Sequence, residues 1–317
     1  MAIPNNYKCE IGIEAAFGDG LGGGAFTPIP LTFDSIPKIR KTDTTLPVIG
    51  GSKARQKSYP DEKFYEIPVK FFLKGVDTSS PSAGTAPELG KLFRAFGFDE
   101  NISASTYVAY DPQDSGYESA TLRINTDGVR YVCAGAKGVS MKIPFIAGKR
   151  VQCEGTMRSL YAAPTEVSYS APTFADVLAD VPIVESIALT IAGNTHVIPE
   201  ITFSFDNSVE IEPNVNAANG GIEDWAYGDR NWTVELFIKR DAANDIEFWT
   251  AHDASTELAF ASTGFGPTSG GHIEFDASNI QLTDIEEVTR VGQIYYRITG
   301  GINYNATLAN QFRLKFT

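Results

Sequence analysis

The chain has 317 residues, 43% of them hydrophobic and 11% aromatic, enough to bury two cores of ordinary size, and neither half has a disordered composition. Its net charge of −13 argues against a grip on nucleic acid, because affinity for the phosphate backbone comes from Lys and Arg displacing counterions. No stretch approaches the roughly 20 apolar residues of a membrane span, and Met1-Ala2-Ile3-Pro4-Asn5-Asn6 lacks the basic and apolar regions of a secretory signal, so a soluble protein made in the cytoplasm, without a membrane anchor, is expected.

Two short extended runs come first, near residues 8–16 and 26–33. Between them Gly18-Asp19-Gly20-Leu21-Gly22-Gly23 satisfies GxGxxG, but Ala25-Phe26-Thr27-Pro28 follows where a dinucleotide fold needs a helix. A flexible glycine loop, and no cofactor, is the expectation. A long loop over 42–61 carries Lys38, Arg40 and Lys41 on its flank and Lys53, Arg55 and Lys57 in its body. The run Tyr65-Glu66-Ile67-Pro68-Val69-Lys70-Phe71-Phe72-Leu73-Lys74 then alternates apolar and polar side chains, as a half-buried strand does. A helix is expected over 85–97: Thr85 and Glu88 form a capping box, Leu89, Leu92, Phe93 and Phe96 share one face, and Gly97 closes it. Asp127-Gly128, between Leu122-Arg123-Ile124 and Val129-Arg130-Tyr131-Val132, predicts a hairpin.

The rest of the chain repeats this pattern. Asn231-Trp232-Thr233-Val234-Glu235-Leu236-Phe237-Ile238-Lys239 matches the alternating strand when Val234 is laid on Val69. Ala136-Lys137-Gly138-Val139-Ser140-Met141 parallels Ala277-Ser278-Asn279-Ile280-Gln281-Leu282, and each is followed by a strand carrying Gly155 or Gly300. A second, shorter helix is expected at Asn244-Asp245-Ile246-Glu247-Phe248-Trp249, with Asn244 as N-cap and Ile246 and Trp249 inward. The counterpart of the long loop follows Ile201-Thr202-Phe203-Ser204-Phe205-Asp206 and holds Glu210, Glu212, Glu223, Asp224 and Asp229. These elements predict an all-β fold with minor α: two tandem β-sandwich or barrel domains, 1–165 and 185–317, each with one capping helix, joined by a linker at 166–184.

The copies have diverged in charge. Residues 1–165 hold 19 Lys and Arg against 17 Asp and Glu, whereas residues 166–317 hold 7 against 22. The same long loop is therefore basic once and acidic once, an arrangement that bears on association. Phe72 and Phe237 share a repeat position on the face otherwise taken by Glu and Lys, which marks either a covered surface or a second layer within the domain. His196, His252 and His272 show no metal-ligand spacing, no GxSxG run supplies a nucleophile, and the carboxylates offer no chosen acid–base pair. Cys9, Cys133 and Cys153 are an odd set without zinc spacing, expected as reduced, partly buried thiols. Neither an enzyme nor a metal protein is expected.

The run Pro87-Glu88-Leu89 through Phe93-Arg94-Ala95-Phe96-Gly97-Phe98, then Tyr107, Tyr110-Asp111-Pro112, Ser119-Ala120-Thr121-Leu122, Asp127-Gly128 and Ala134-Gly135-Ala136-Lys137-Gly138, resembles the tail tube proteins of long-tailed bacteriophages. The resemblance continues through Ile201-Thr202-Phe203-Ser204-Phe205-Asp206 and the closing strands over 292–317. It implies units that close side by side into rings, stack into a tube and let DNA pass without specific binding. It further implies a virion protein assembled in the host cytoplasm, with tip and terminator proteins as partners besides itself. Where single-unit relatives form six-membered rings, a doubled chain can close as a trimer with pseudo-sixfold symmetry, a hexamer of chains being the other possibility. Acidic residues on the channel wall would repel passing DNA. The competing expectation is a two-domain β-sandwich binding module or adhesin for a receptor or glycan. If the basic loop sets ring-to-ring or unit-to-unit register, reversing Lys53, Arg55 and Lys57 to Glu impairs tube growth, and wild-type polymerisation by that triple variant removes this role.

Overall fold

The computed structural model describes residues 7–21, 25–32, 34–45, 58–76, 84–168, 170–171, 181–218, 220–241, 245–266, 271–307 and 311–317. They form an all-β protein with two helices. The first half contributes β1 (Tyr7–Ile13), β2 (Thr27–Pro28), β3 (Lys38–Thr45), β4 (Ser58–Phe72), α1 (Gly90–Ala95), β5 (Phe98–Ser103), β6 (Tyr107–Pro112), β7 (Ala120–Thr126), β8 (Val129–Ile146), β9 (Gln152–Leu160) and β10 (Thr165–Glu166). The second contributes β11 (Thr190–Ile191), β12 (Asn194–Thr195), β13 (Glu200–Asp206), β14 (Val209–Pro213), β15 (Ile222–Tyr227), β16 (Thr233–Lys239), α2 (Asp245–Ala254), β17 (Glu257–Ala261), β18 (Ile273–Arg290), β19 (Gln293–Ile302) and β20 (Arg313–Phe316).

The sequence repeat is a repeat of strand order. In the first half β3, β4, β9 and β8 lie side by side, all antiparallel. In the second, β13, β16, β19 and β18 reproduce that order. Register agrees residue for residue at the centre: Val69 faces Gly155, which faces Met141, and Val234 faces Gly300, which faces Leu282. The inward positions Tyr65, Ile67, Val69 and Phe71 of β4, and Val234, Leu236 and Ile238 of β16, are fully buried, as period-two alternation requires.

Both long strands serve two layers. The first part of β8 pairs with β7, which pairs with β1, and from Lys137, across a bulge beyond Gly138, the strand pairs with β9 in the repeated sheet. Likewise β18 pairs first with β17 and β20, then with β19. Bulges bend a strand and increase its twist, which lets one strand turn this corner. The hairpin at Asp127-Gly128 forms as expected; both residues take positive φ, 42° and 87°, suited to a two-residue turn.

The helices differ from expectation. Over 85–89 the chain turns instead of coiling, closed by the Gly90 amide donating to the Pro87 carbonyl at 2.8 Å, and α1 begins at Gly90 without a side-chain cap. The residue before a proline is driven from helical geometry, so Ala86 cannot extend a helix started at Thr85. The predicted apolar face survives, with Leu89, Leu92, Phe93 and Phe96 all buried, and Gly97 closes the helix at φ 85°. Helix α2 is the longer one, 10 residues against 6, and Phe248 and Ala251 face inward while Trp249 is 40% exposed. Asn244 and the Ile246 side chain lie outside the described residues.

One core runs through both repeats. Phe98 stacks on Trp232 at 5.4 Å and Phe205 meets Phe312 at 4.8 Å. Strand β20 inserts between β18 of the second half and β6 of the first, and Arg313 clasps Asp111 through two hydrogen bonds of 2.7 and 2.9 Å. The interval 166–184 thus separates two repeats in sequence that share a core; residues 169 and 172–180 lie outside the described residues. The three cysteines are free and buried, and desolvation pushes the Cys133 thiol up to about 12, so it stays protonated and unreactive at neutral pH. The glycine facing both long strands tests the packing: a Cβ on Gly155 would stand 2.7 Å from the Ser140 carbonyl oxygen and 2.9 Å from the Phe96 ring. Gly155→Ala is expected to cost about 1–3 kcal/mol, read from the shift in a urea unfolding midpoint, since backbone and a core ring must both move.

Candidate functional site

The four-stranded repeats meet edge to edge inside the chain. Strand β8, the last of the first repeat, pairs with β13, the first of the second, with Met141, Ile143 and Phe145 opposite Phe205, Phe203 and Ile201. The result is a continuous eight-stranded antiparallel sheet in the order β3-β4-β9-β8-β13-β16-β19-β18. Its two ends are open: among the described residues β3 pairs only with β4, and β18 beyond Leu282 pairs only with β19. An open edge presents unpaired backbone donors and acceptors to any strand that reaches it.

Both flanks of the long loop expected over 42–61 are ladder, 42–45 on β3 and 58–61 on β4, and residues 46–57 lie outside the described residues. Lys38 pairs with Glu66 and the register runs to Thr45 opposite Ser58, so the β-branched Thr42, Thr44 and Thr45 belong to a projecting hairpin. Lys38, Arg40 and Lys41 are exposed; Arg40 bonds Glu66 at 2.6 Å and Lys41 pairs with Asp43 at 2.8 Å. Lys53, Arg55 and Lys57 lie outside the described residues.

Its acidic counterpart is also a hairpin, β14–β15, and it folds back. Val209, Ile222 and Trp225 are buried with Leu160, and Phe17, Phe64, Val139, Ile211 and Tyr227 pack around them. Trp225 meets the Phe64 ring edge-on at 5.6 Å, the Arg158 guanidinium donates to the Val209 carbonyl at 2.6 Å, and the Tyr227 hydroxyl donates to the Ala95 carbonyl at 2.9 Å. Lys137, 4% exposed, donates to the Trp225 carbonyl at 3.2 Å and approaches Asp224 at 2.7 Å. Asp224 therefore serves a lysine of the first repeat's sheet. Glu210, Glu212, Glu223 and Asp229 point to solvent. The alternation in Val209-Glu210-Ile211-Glu212 carried the signal for this amphipathic hairpin, and its acidic count hid it.

The outward face of the eight-stranded sheet is polar and its charges are matched across strands. Lys70 approaches Glu154 at 3.0 Å, Arg297 approaches Glu235 at 2.8 Å, and Arg290 approaches Glu200 at 3.3 Å. Phe237 lies half-buried there beneath the Arg290 guanidinium, 4.2 Å from its ring centroid, whereas Phe72 is 39% exposed at the end of β4. The free end of β18 carries Asp284, Glu286 and Glu287, all exposed. The Val291-Gly292 turn beyond it exposes Val291 completely, at φ 49°, a conformation unusual for a β-branched residue.

The remaining candidates are structural. Glu14, under the glycine loop, accepts from the Gly18 and Gly135 amides and from the Ser119 and Thr121 hydroxyls. His272 bonds the Thr263 carbonyl at 2.9 Å beside a cleft of about 690 Å³ that also exposes Arg150 and Glu185. No group of three or more His, Cys, Asp or Glu that could hold a metal occurs among the described residues. No family model matches the chain, and a search of curated proteins found no match. For the internal clasp, Asp224→Asn leaves the Lys137 ammonium in a buried site without its carboxylate; a loss of about 2 kcal/mol is expected, together with faster amide exchange across β14–β15 than across β4–β9.

Proposed function

We propose that copies of this chain join head to tail through the two open sheet edges, close into rings, and stack as the tube of a long-tailed bacteriophage, a conduit for DNA. The observation that carries this reading is the internal junction: the chain already joins two four-stranded repeats edge to edge, and leaves one edge of each kind open at the ends of the sheet. Repeating the junction between copies pairs the edge of β18 with that of the next copy's first repeat. Closure into a ring leaves no edge unpaired, which relieves the aggregation hazard an eight-stranded open sheet carries.

The polar face of the sheet suits a channel wall. Its cross-strand ion pairs leave few uncompensated cations to hold a phosphate backbone, so DNA can slide past. Six repeats in a ring correspond to three chains, and such a trimer has pseudo-sixfold symmetry. The binding-module alternative draws less support from the aromatic residues, since Trp225 and Trp232 are buried and Trp249 alone of the three tryptophans is substantially exposed. Negative-stain microscopy of concentrated protein is expected to find rings or hollow tubes wide enough for duplex DNA, and native mass spectrometry of single rings a mass of three chains. Six chains per ring overturns the trimeric closure, and a monomer that binds a surface glycan overturns the tube.

A further inference from the structure

The two long hairpins occupy equivalent places in the repeats yet only one is docked. Hairpin β14–β15 of the second repeat lies on β4, β8 and β9 of the first, burying Val209, Ile222 and Trp225. Hairpin β3–β4 of the first repeat projects, with Arg40, Lys41, Asp43 and Thr44 exposed. Carrying the strand equivalence outward, the pair Ile211 and Trp225 in one hairpin corresponds to Asp43 and Pro60 in the other.

The surface that receives the docked hairpin also has a counterpart. In the first repeat it is built around Lys137 opposite Arg158, with Leu160 and Phe64 beside them. In the second repeat the Asn303 amide donates to the Asn279 carbonyl at 2.8 Å, and carrying the strand equivalence outward aligns Asn305 with Leu160 and Asp229 with Phe64. The amides are already oriented by their neighbours. The Asn279 and Asn303 side chains donate to Glu257 at 2.6 and 2.8 Å, and Asn305 donates to Asn279 at 2.8 Å. Tyr304, between Asn303 and Asn305 in the chain, is 69% exposed.

The projecting hairpin thus carries Asp43 and Pro60 where the docked one carries Ile211 and Trp225, and the facing surface carries Asn305 and Asp229 at the positions aligned with Leu160 and Phe64. The docked hairpin buries Val209, Ile222 and Trp225 with Leu160, while Lys137 and Arg158 bond its backbone, as in a permanent core contact. The projecting hairpin, with Arg40, Lys41 and Lys63 exposed beside Asp43, Asp61 and Glu62, and the amide–carboxylate patch are both polar, which is what two surfaces need if each must remain soluble before they meet. We infer that the β3–β4 hairpin of one copy docks on the Asn279, Asn303, Asn305, Glu257 and Asp229 patch of the copy before it, reproducing between chains the clasp that β14–β15 makes within one. Lys41 and Lys63 then approach Glu257 and Asp229, and Tyr304 lies under the hairpin. The inference rests on the head-to-tail reading of the preceding section and assigns the surface that such association covers.

Zero-length cross-linking of a mixture of isotope-labelled and unlabelled wild-type protein tests it without any substitution. Mixed-isotope peptides joining Lys41 or Lys63 to Glu257 or Asp229 are expected in the assembled fraction and not in the monomer fraction. A second test pairs Lys41→Cys with Asn303→Cys, whose oxidation is expected to yield covalent chains of copies that require both cysteines; the native thiols are buried. Glu257→Lys is expected to raise the concentration needed for assembly about tenfold, and Lys41→Glu with Lys63→Glu to restore it. Assembled rings lacking both kinds of cross-link overturn this docking while leaving ring formation intact. A chain that stays monomeric at every concentration overturns the head-to-tail reading itself, and this inference with it.

Discussion

The antiparallel ladder between β8 and β13 is the constraint on which the rest of the molecule depends. Backbone amides and carbonyls withdrawn from water must find partners, and a four-stranded repeat standing alone exposes two edges that lack them. Joining one repeat to the next settles one pair of edges, with Met141, Ile143 and Phe145 set against Phe205, Phe203 and Ile201 on the buried face. The core is continuous across this seam because the ladder fixes which side chains meet there: Phe145 tilts over Phe275 at 4.6 Å and Phe203 meets Phe312 at 5.1 Å. A junction of this kind has no internal stopping rule, since each added repeat offers the edge that the last one used.

Period-two alternation was the most legible signal in the chain. It located β4 and β16, the equivalence of Val69 with Val234, and the glycines that face them, because burial of one sheet face imposes that alternation whatever else surrounds the strand. Legibility fell where tertiary contacts override local preference. The capping box at Thr85 and Glu88 was a sound local pattern, yet the constraint Pro87 puts on Ala86 moved the helix start to Gly90. The inward face of α2 was misassigned by one residue, Trp249 for Phe248, and a single step on a helix rotates a side chain by about 100°. The β14–β15 hairpin and the paired flanks of the basic loop look like loops in the sequence, because their charged residues outweigh an alternation spread over few positions. The open edges were invisible in the sequence, since an unpaired strand and a paired one look alike until the partners are placed.

The charge difference between the halves takes a structural form. Part of the acidic excess of residues 166–317 sits on the solvent side of β14–β15, at Glu210, Glu212 and Glu223, and along the free end of β18, at Asp284, Glu286 and Glu287. The buried sides of those same strands remain apolar or half-apolar, through Val209, Ile222, Leu282 and Ile285. Divergence has therefore acted on surfaces and edges while the repeated core kept its volume and register. Surface charge of this sort governs encounter and orientation more than stability, since exposed ion pairs contribute little to folding.

Strand β20 carries a consequence for timing. It lies between β6 and β18, and Arg313 reaches Asp111 across 202 residues of chain. Contacts that distant in sequence form late, because the entropy of closing so large a loop is lost before any stabilising contact is made. The β5–β6 hairpin packs on α1 through Phe93, but its outer strand neighbour arrives only when residues 313–316 have been synthesised and have travelled back to it. The ladder that runs from β5 through β6 and β20 to β18 is thus completed by the last strand of the chain, so its two halves become one sheet only after both have been made.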